Sequence, residues 1–156
     1  TNRMEKYFKN EQKELVNVIE HTLDQINKCP TLKIYIGTDS QNYSHITRYV
    51  TAIVFRYGLR GAHYIYFKED VPRVRAEYLR LYDEGVRTIQ TWEMLTSEIP
   101  ISVDGLEFDY SDIKKTISSK LVQDFKGWVT GLQQKAIFKS GQMIATKAAD
   151  HLCRKS

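Results

Sequence analysis

Cysteine occurs only twice in 156 residues, at Cys29 and Cys153, and proline only three times. Neither thiol has a Cys or His partner at metal-finger spacing, which argues against a structural zinc site. A chain of this length that is 42% hydrophobic can bury a core without a disulfide staple. Free thiols, and a reducing cytoplasm as location, are therefore expected. Long apolar runs are also missing. The segment around Tyr49–Phe55 is interrupted within a few residues, far short of the ~20 that a membrane span requires. Residues 1–14 carry charge throughout, so no secretory signal is expected there. The composition excludes disordered, collagen-like and low-complexity classes, and the length fits one domain over 1–156.

Acid is scarce at one end. Residues 113–156 hold 9 basic and only 2 acidic side chains, Asp124 and Asp150. Residues 31–112 hold 9 basic and 12 acidic, and residues 1–30 hold five of each. A basic end attached to an acidic middle fits a polyanionic partner such as nucleic acid, although a solvated basic face has the same composition. Lys114, Lys115, Lys120 and Lys126, with Lys135 and Lys139 beyond them, form the best candidate surface for holding phosphates. Lys135 and Lys139 would share a face of one strand.

Apolar periodicity sets the order of elements. Leu15, Val18, Ile19, Thr22, Leu23 and Ile26 predict an amphipathic helix over 5–28, stopped by Pro30. Lys33–Thr38, residues 46–57 and Ala62–Lys68 are rich in β-branched and aromatic residues, and the last two flank a Gly58–Gly61 turn, so an antiparallel meander is expected. Tyr78, Leu81, Tyr82, Gly85, Ile89, Trp92 and Leu95 trace a helix to about Ser97. A short strand over Ile99–Val103 should end at Asp104. Then come a helix over 113–130 capped by Asp112, a strand over 135–139 and a helix over 141–153. The core, 33–153, thus reads β-β-β-α-β-α-β-α, an α/β arrangement with helices packed on one mixed five-stranded sheet behind an extra N-terminal helix.

Asp39 and Asp104 both fall at expected strand ends, where a sheet presents side chains at fixed positions. Asp150 lies on the last helix, and Glu77 and Glu84 are seven apart on the central helix, on one face. Carboxylates brought together repel unless a cation lies between them. Mg²⁺ or Mn²⁺ with oxygen ligands suits that role, and one or two such ions support phosphodiester hydrolysis. Each acid alone fits a turn or cap residue better, and it is their placement at corresponding ends that points to a site.

His45 and His151 are candidates for proton transfer or are simply solvated. Tyr35, Tyr49, Tyr57, Tyr64 and Tyr66 on the meander could stack unpaired bases or pack under helices, with packing favoured.

Ile34–Gln41 (IYIGTDSQ) resembles the opening motif of the YkuK family of ribonuclease H-like nucleases. Further similarity lies in Tyr66–Glu69, Leu79–Glu84 (LRLYDE), Ser102–Asp104, Gly127–Gly131 and Ala148–Asp150, covering roughly residues 7–152. The resemblance implies a ribonuclease H-like fold and four acids as catalytic and metal-binding residues: Asp39, Glu84 or alternatively Glu77, Asp104 and Asp150. Glu84 is preferred because it lies in the matching LYDE segment. After Asp104 the chain departs from the family with Gly105–Asp109 (GLEFD), which offers Asp109 as an alternative ligand. The expected activity is a Mg- or Mn-dependent nuclease acting on DNA, RNA or a hybrid, as monomer or dimer. A non-catalytic nucleic-acid-binding or assembly module is the alternative.

Overall fold

The computed structural model describes residues 6–111 and 113–154. Its first element corrects the expected helix over 5–28. Strands β1 (Tyr7–Lys9) and β2 (Leu15–Asn17) form a hairpin, and helix α1 covers only Val18–Lys28. Turn chemistry overrides the helical spacing here. The Asn10 side-chain oxygen accepts the Gln12 and Glu14 N–H groups at 3.0 and 2.9 Å, and Lys13 takes a left-handed φ of 65°. Asn17 then caps α1 by accepting the Glu20 N–H at 3.0 Å.

The meander is as expected but longer: β3 (Lys33–Asn42), β4 (Ile46–Arg56) and β5 (Ala62–Pro72) pair antiparallel along their lengths. Helix α2 runs over Glu77–Glu98. The next strand, β6, is Gly105–Glu107 rather than 99–103. Helix α3 (Lys115–Gly131), strand β7 (Ala136–Ile137) and helix α4 (Ala145–Cys153) follow. Asp112, expected to cap α3, lies outside the described residues. β7 spans two residues, so Lys135 and Lys139 flank it instead of sharing its face.

The sheet has seven strands in the order β2-β1-β5-β4-β3-β6-β7, with β6 parallel to β3 and β7 parallel to β6. The expected count of five is thus corrected to seven: the strand expected over 99–103 is replaced by β6, and the N-terminal hairpin adds two at the β5 edge. Side chains alternate across β3. Ile34, Ile36, Thr38 and Ser40 face the larger core with α2, where Thr38 Oγ1 lies 2.9 Å from Thr88 Oγ1. Gly37 and Asp39 face α4, whose Ala149, Leu152 and Cys153 bury against Val50, Ala52 and Tyr66. Glycine is needed at 37: a Cβ there would lie 2.7 Å from Thr146 Cγ2 and 2.9 Å from the Thr146 nitrogen. That close approach seats α4 on the sheet. No helix among the described residues is long and apolar enough to cross a membrane.

Candidate active site: a carboxylate pocket beside β3

β3 pairs with β6 only through Tyr35–Gly37 but continues to Asn42. Past Glu107 its flank is unpaired on that side, and an open cavity of about 270 Å³ lies there. Four elements bring acids to it: Asp39 from β3, Glu77 and Glu84 from α2, Asp109 from the segment after β6, and Asp150 from α4. Arg80 and Arg154 line it as well.

Asp39, Glu84 and Asp150 are thus brought together, as is Glu77 at the exposed rim. Asp104 is not. Its Oδ2 accepts the Ile34 N–H at 2.7 Å and its own N–H donates to the Ile34 carbonyl at 2.8 Å, tying it to the start of β3. The expected strand over 99–103 put Asp104 at a strand end beside Asp39; in the structure it precedes the strand. The register explains which acid takes the place beside Asp39. Pairing of Tyr35 with Gly105 and of Gly37 with Glu107, continued by two residues, sets Asp109 level with Asp39. The GLEFD segment that departs from the family therefore supplies the acid.

Crowding shows in the electrostatics. Burial, a hydrogen bond with Asp150 and the Asp150 charge push the Asp39 carboxyl up to about 8. Glu84 is 3% exposed, and burial together with the Asp39 charge raises it well above the carboxylate range. Two residues not singled out in the sequence restrain it. Ser40 donates its hydroxyl to Glu84 Oε2 at 2.5 Å and accepts from Arg80 Nη1 at 2.7 Å, while Arg80 lies 3.9 Å from Glu84 Oε2. The spacing of Arg80 and Glu84, one helical turn apart, was the legible signal. Arg154 pairs with Asp150 at 3.1 Å, and Asp109 accepts from Ser111 at 2.7 Å through its hydroxyl.

Glu107 positions the α4 side of the pocket. Buried at 1% exposure, its carboxylate accepts the Ile144 and Thr146 N–H groups at 3.1 and 2.9 Å, capping α4 from β6. Burial raises its carboxyl, and those N–H bonds hold it down.

The donor set fits a hard divalent cation: oxygen ligands from four elements, with more negative charge than the pocket tolerates ionised. Among the described residues, no three His, Cys, Asp or Glu side chains are drawn close enough to hold an ion as they stand. The acids instead bond to one another, to Ser40 and to the two arginines.

None of the remaining candidates lines the pocket. Lys114, Lys115, Lys120, Lys126, Lys135 and Lys139 are exposed on α3 and around β7, and none lines the cavity. His45 and His151 are exposed and also outside it. Tyr49 is fully buried beneath the Arg87 guanidinium, 3.9 Å from its ring centroid, so it packs. Tyr57 bonds Gln25. Both cysteines are free thiols.

No curated protein and no solved structure matches the chain. A family profile described as ribonuclease H-like matches residues 14–154, nearly the whole sheet, its four helices and every acid of the pocket. The chain belongs to the ribonuclease H-like family.

Proposed function

We propose that the protein is a divalent-metal-dependent nuclease, with Asp39, Glu84, Asp109 and Asp150 holding one or two Mg²⁺ or Mn²⁺ ions. The observation that carries this reading is the convergence of four acids from four elements on one cavity, with Asp39 pushed up to about 8. Bound divalent ions supply an activated water and stabilise the leaving oxygen of a phosphodiester. The chain's own residues do the rest. Asp39 and Asp150 give up the proton of their shared hydrogen bond when ligands are needed. Ser40 keeps the Glu84 carboxylate oriented. Arg80, seated over Ser40 at the cavity wall, is placed to meet a phosphate oxygen. Lys114 and Lys115 follow Ile113, which lines the cavity, and would hold the flanking backbone without reading bases.

Incubation of labelled RNA, DNA and hybrid oligonucleotides with Mn²⁺ tests this. Cleavage is expected, abolished by chelator and by Asp39→Asn; undiminished cleavage by Asp39→Asn overturns the assignment. One observation favours a non-catalytic binding module: the acids are satisfied by Ser40, Arg80 and Arg154 rather than gathered around a common point. Nucleic-acid binding without any divalent-ion dependence or turnover would establish that reading.

A further inference from the structure

The turn of the N-terminal hairpin, helix α1 and strand β5 meet at three titratable side chains that the carboxylate pocket does not use. His63 Nδ1 lies 2.8 Å from Glu11 Oε1, and His63 Nε2 lies 2.7 Å from His21 Nε2. Glu11 belongs to the turn between β1 and β2, His21 lies early in α1, and His63 lies at the start of β5. One hydrogen-bonded chain thus joins all three elements. Elsewhere the hairpin is held by Phe8, fully buried and stacked 5.8 Å from Phe67, and by Lys6, which pairs with Glu98 at 3.4 Å.

The two imidazole centroids are 4.9 Å apart, so the Nε2 atoms point at each other along nearly one line, as one shared proton requires. A carboxylate only accepts, so Glu11 takes the Nδ1–H of His63. A neutral His63 then offers its bare Nε2 to the Nε2–H of His21. One added proton is accommodated by a change of tautomer. Two charged rings would set N–H against N–H, and the bond is lost. Phe55 floors the pair, fully buried and 5.7 Å from His21 and 5.9 Å from His63 between centroids, and an apolar floor disfavours charge. Burial, then His63 and more weakly Lys28, hold His21 below its ordinary value, against Asp24 on the same helix. Tyr57, just past β4, and Tyr64 on β5 are both raised by burial and carry no charge in this range. The outer end of the chain meets solvent, with the His63 side chain 23% and that of Glu11 40% exposed.

We propose that Glu11, His63 and His21 form a pH-sensitive latch that fastens the hairpin turn to α1 and β5 near neutral pH and opens in mild acid. The sign follows from linkage. His21 is lowered on folding, so the stability it contributes is complete above the ordinary histidine value of 6.5 and is lost as pH falls through its lower folded value. The Asp39 carboxyl shifts global stability the other way, so the latch is read locally rather than by melting. It is independent of the nuclease reading.

Hydrogen exchange of the full chain, read by mass spectrometry at about pH 7.5 and about pH 5 and corrected for intrinsic rates, tests the latch. Protection over residues 8–16 should fall about tenfold in acid, as the loss of roughly one hydrogen bond produces, while protection of β3 and β4 does not fall. In His21→Gln the amide still donates to His63 but takes no proton. That variant should keep the neutral protection of the wild type and lose the acid fall. NMR of the wild-type histidine rings needs no variant. At neutral pH it should find the proton on Nδ1 of His63 and on Nε2 of His21, and both rings should become fully protonated as the hairpin amides open. Wild-type protection of the hairpin that is equal at both pH values would overturn the latch. So would an acid fall that survives in His21→Gln, or rings that titrate with no change in the hairpin.

Discussion

Asp39 shows how one residue's surroundings set its chemistry. Its carboxyl is raised to about 8, so the folded state favours the protonated form. The sign follows from linkage: a group raised on folding contributes stability that is complete below its unfolded pKa and is lost as pH rises through its folded one. Without divalent ions, melting temperature should therefore fall between about pH 4 and pH 8, and Asp39→Asn should flatten that fall. A wild-type profile that is level over this window would contradict the crowding. Asp39 and Glu84 were legible in the sequence because the GTDSQ and LYDE motifs carry them. Asp104 was misplaced because Ile99, Ile101 and Val103 alternate like a strand. The true pairing depends on Ile34, seventy residues away, to which Asp104 is bonded on both its side chain and its backbone. Arg80 was legible only as a residue one helical turn from Glu84, and Ser40 was missed because the hydrogen-bonded chain that joins them crosses from α2 to β3, which spacing along one helix does not reveal.

Elements, rather than residues, hold the pocket's two walls together. α4 is seated by two devices, the absence of a side chain at Gly37 and the Glu107 carboxylate over its first N–H groups. Gly37→Ala should destabilise the fold by about 1–3 kcal/mol in a denaturant titration, since the added carbon meets Thr146 backbone as well as its methyl. It should also weaken metal binding by moving Asp150 off Asp39. Glu107→Ala, which strands buried N–H donors, should cost about 1–3 kcal/mol by the same measurement. Unchanged stability in both variants would show that α4 is held some other way. At this scale the meander and central helix were readable from β-branched runs and 3.6-residue spacing. The N-terminal hairpin was not, because the turn made by Asn10 and Lys13 interrupts what looks like one amphipathic stretch.

For the whole molecule, the seven-stranded sheet sets an acidic pocket at the unpaired flank of β3, with exposed lysines on α3. The uneven charge along the sequence thus becomes a spatial separation, acids gathered where chemistry is proposed and bases around them. Because the pocket resists full ionisation, divalent ions should bind more tightly at pH 8 than at pH 6 and raise melting temperature more there. Equal stabilisation at both pH values would mean that Asp39 is not a ligand. The central claim, that Asp39 and not Asp104 belongs to the metal site, is tested most directly by calorimetric Mn²⁺ titration of the wild type, Asp39→Asn and Asp104→Asn. The expected result is binding by the wild type, equal binding by Asp104→Asn, and none by Asp39→Asn. Binding that survives in Asp39→Asn, or that disappears in Asp104→Asn while its fold is intact, would contradict the account.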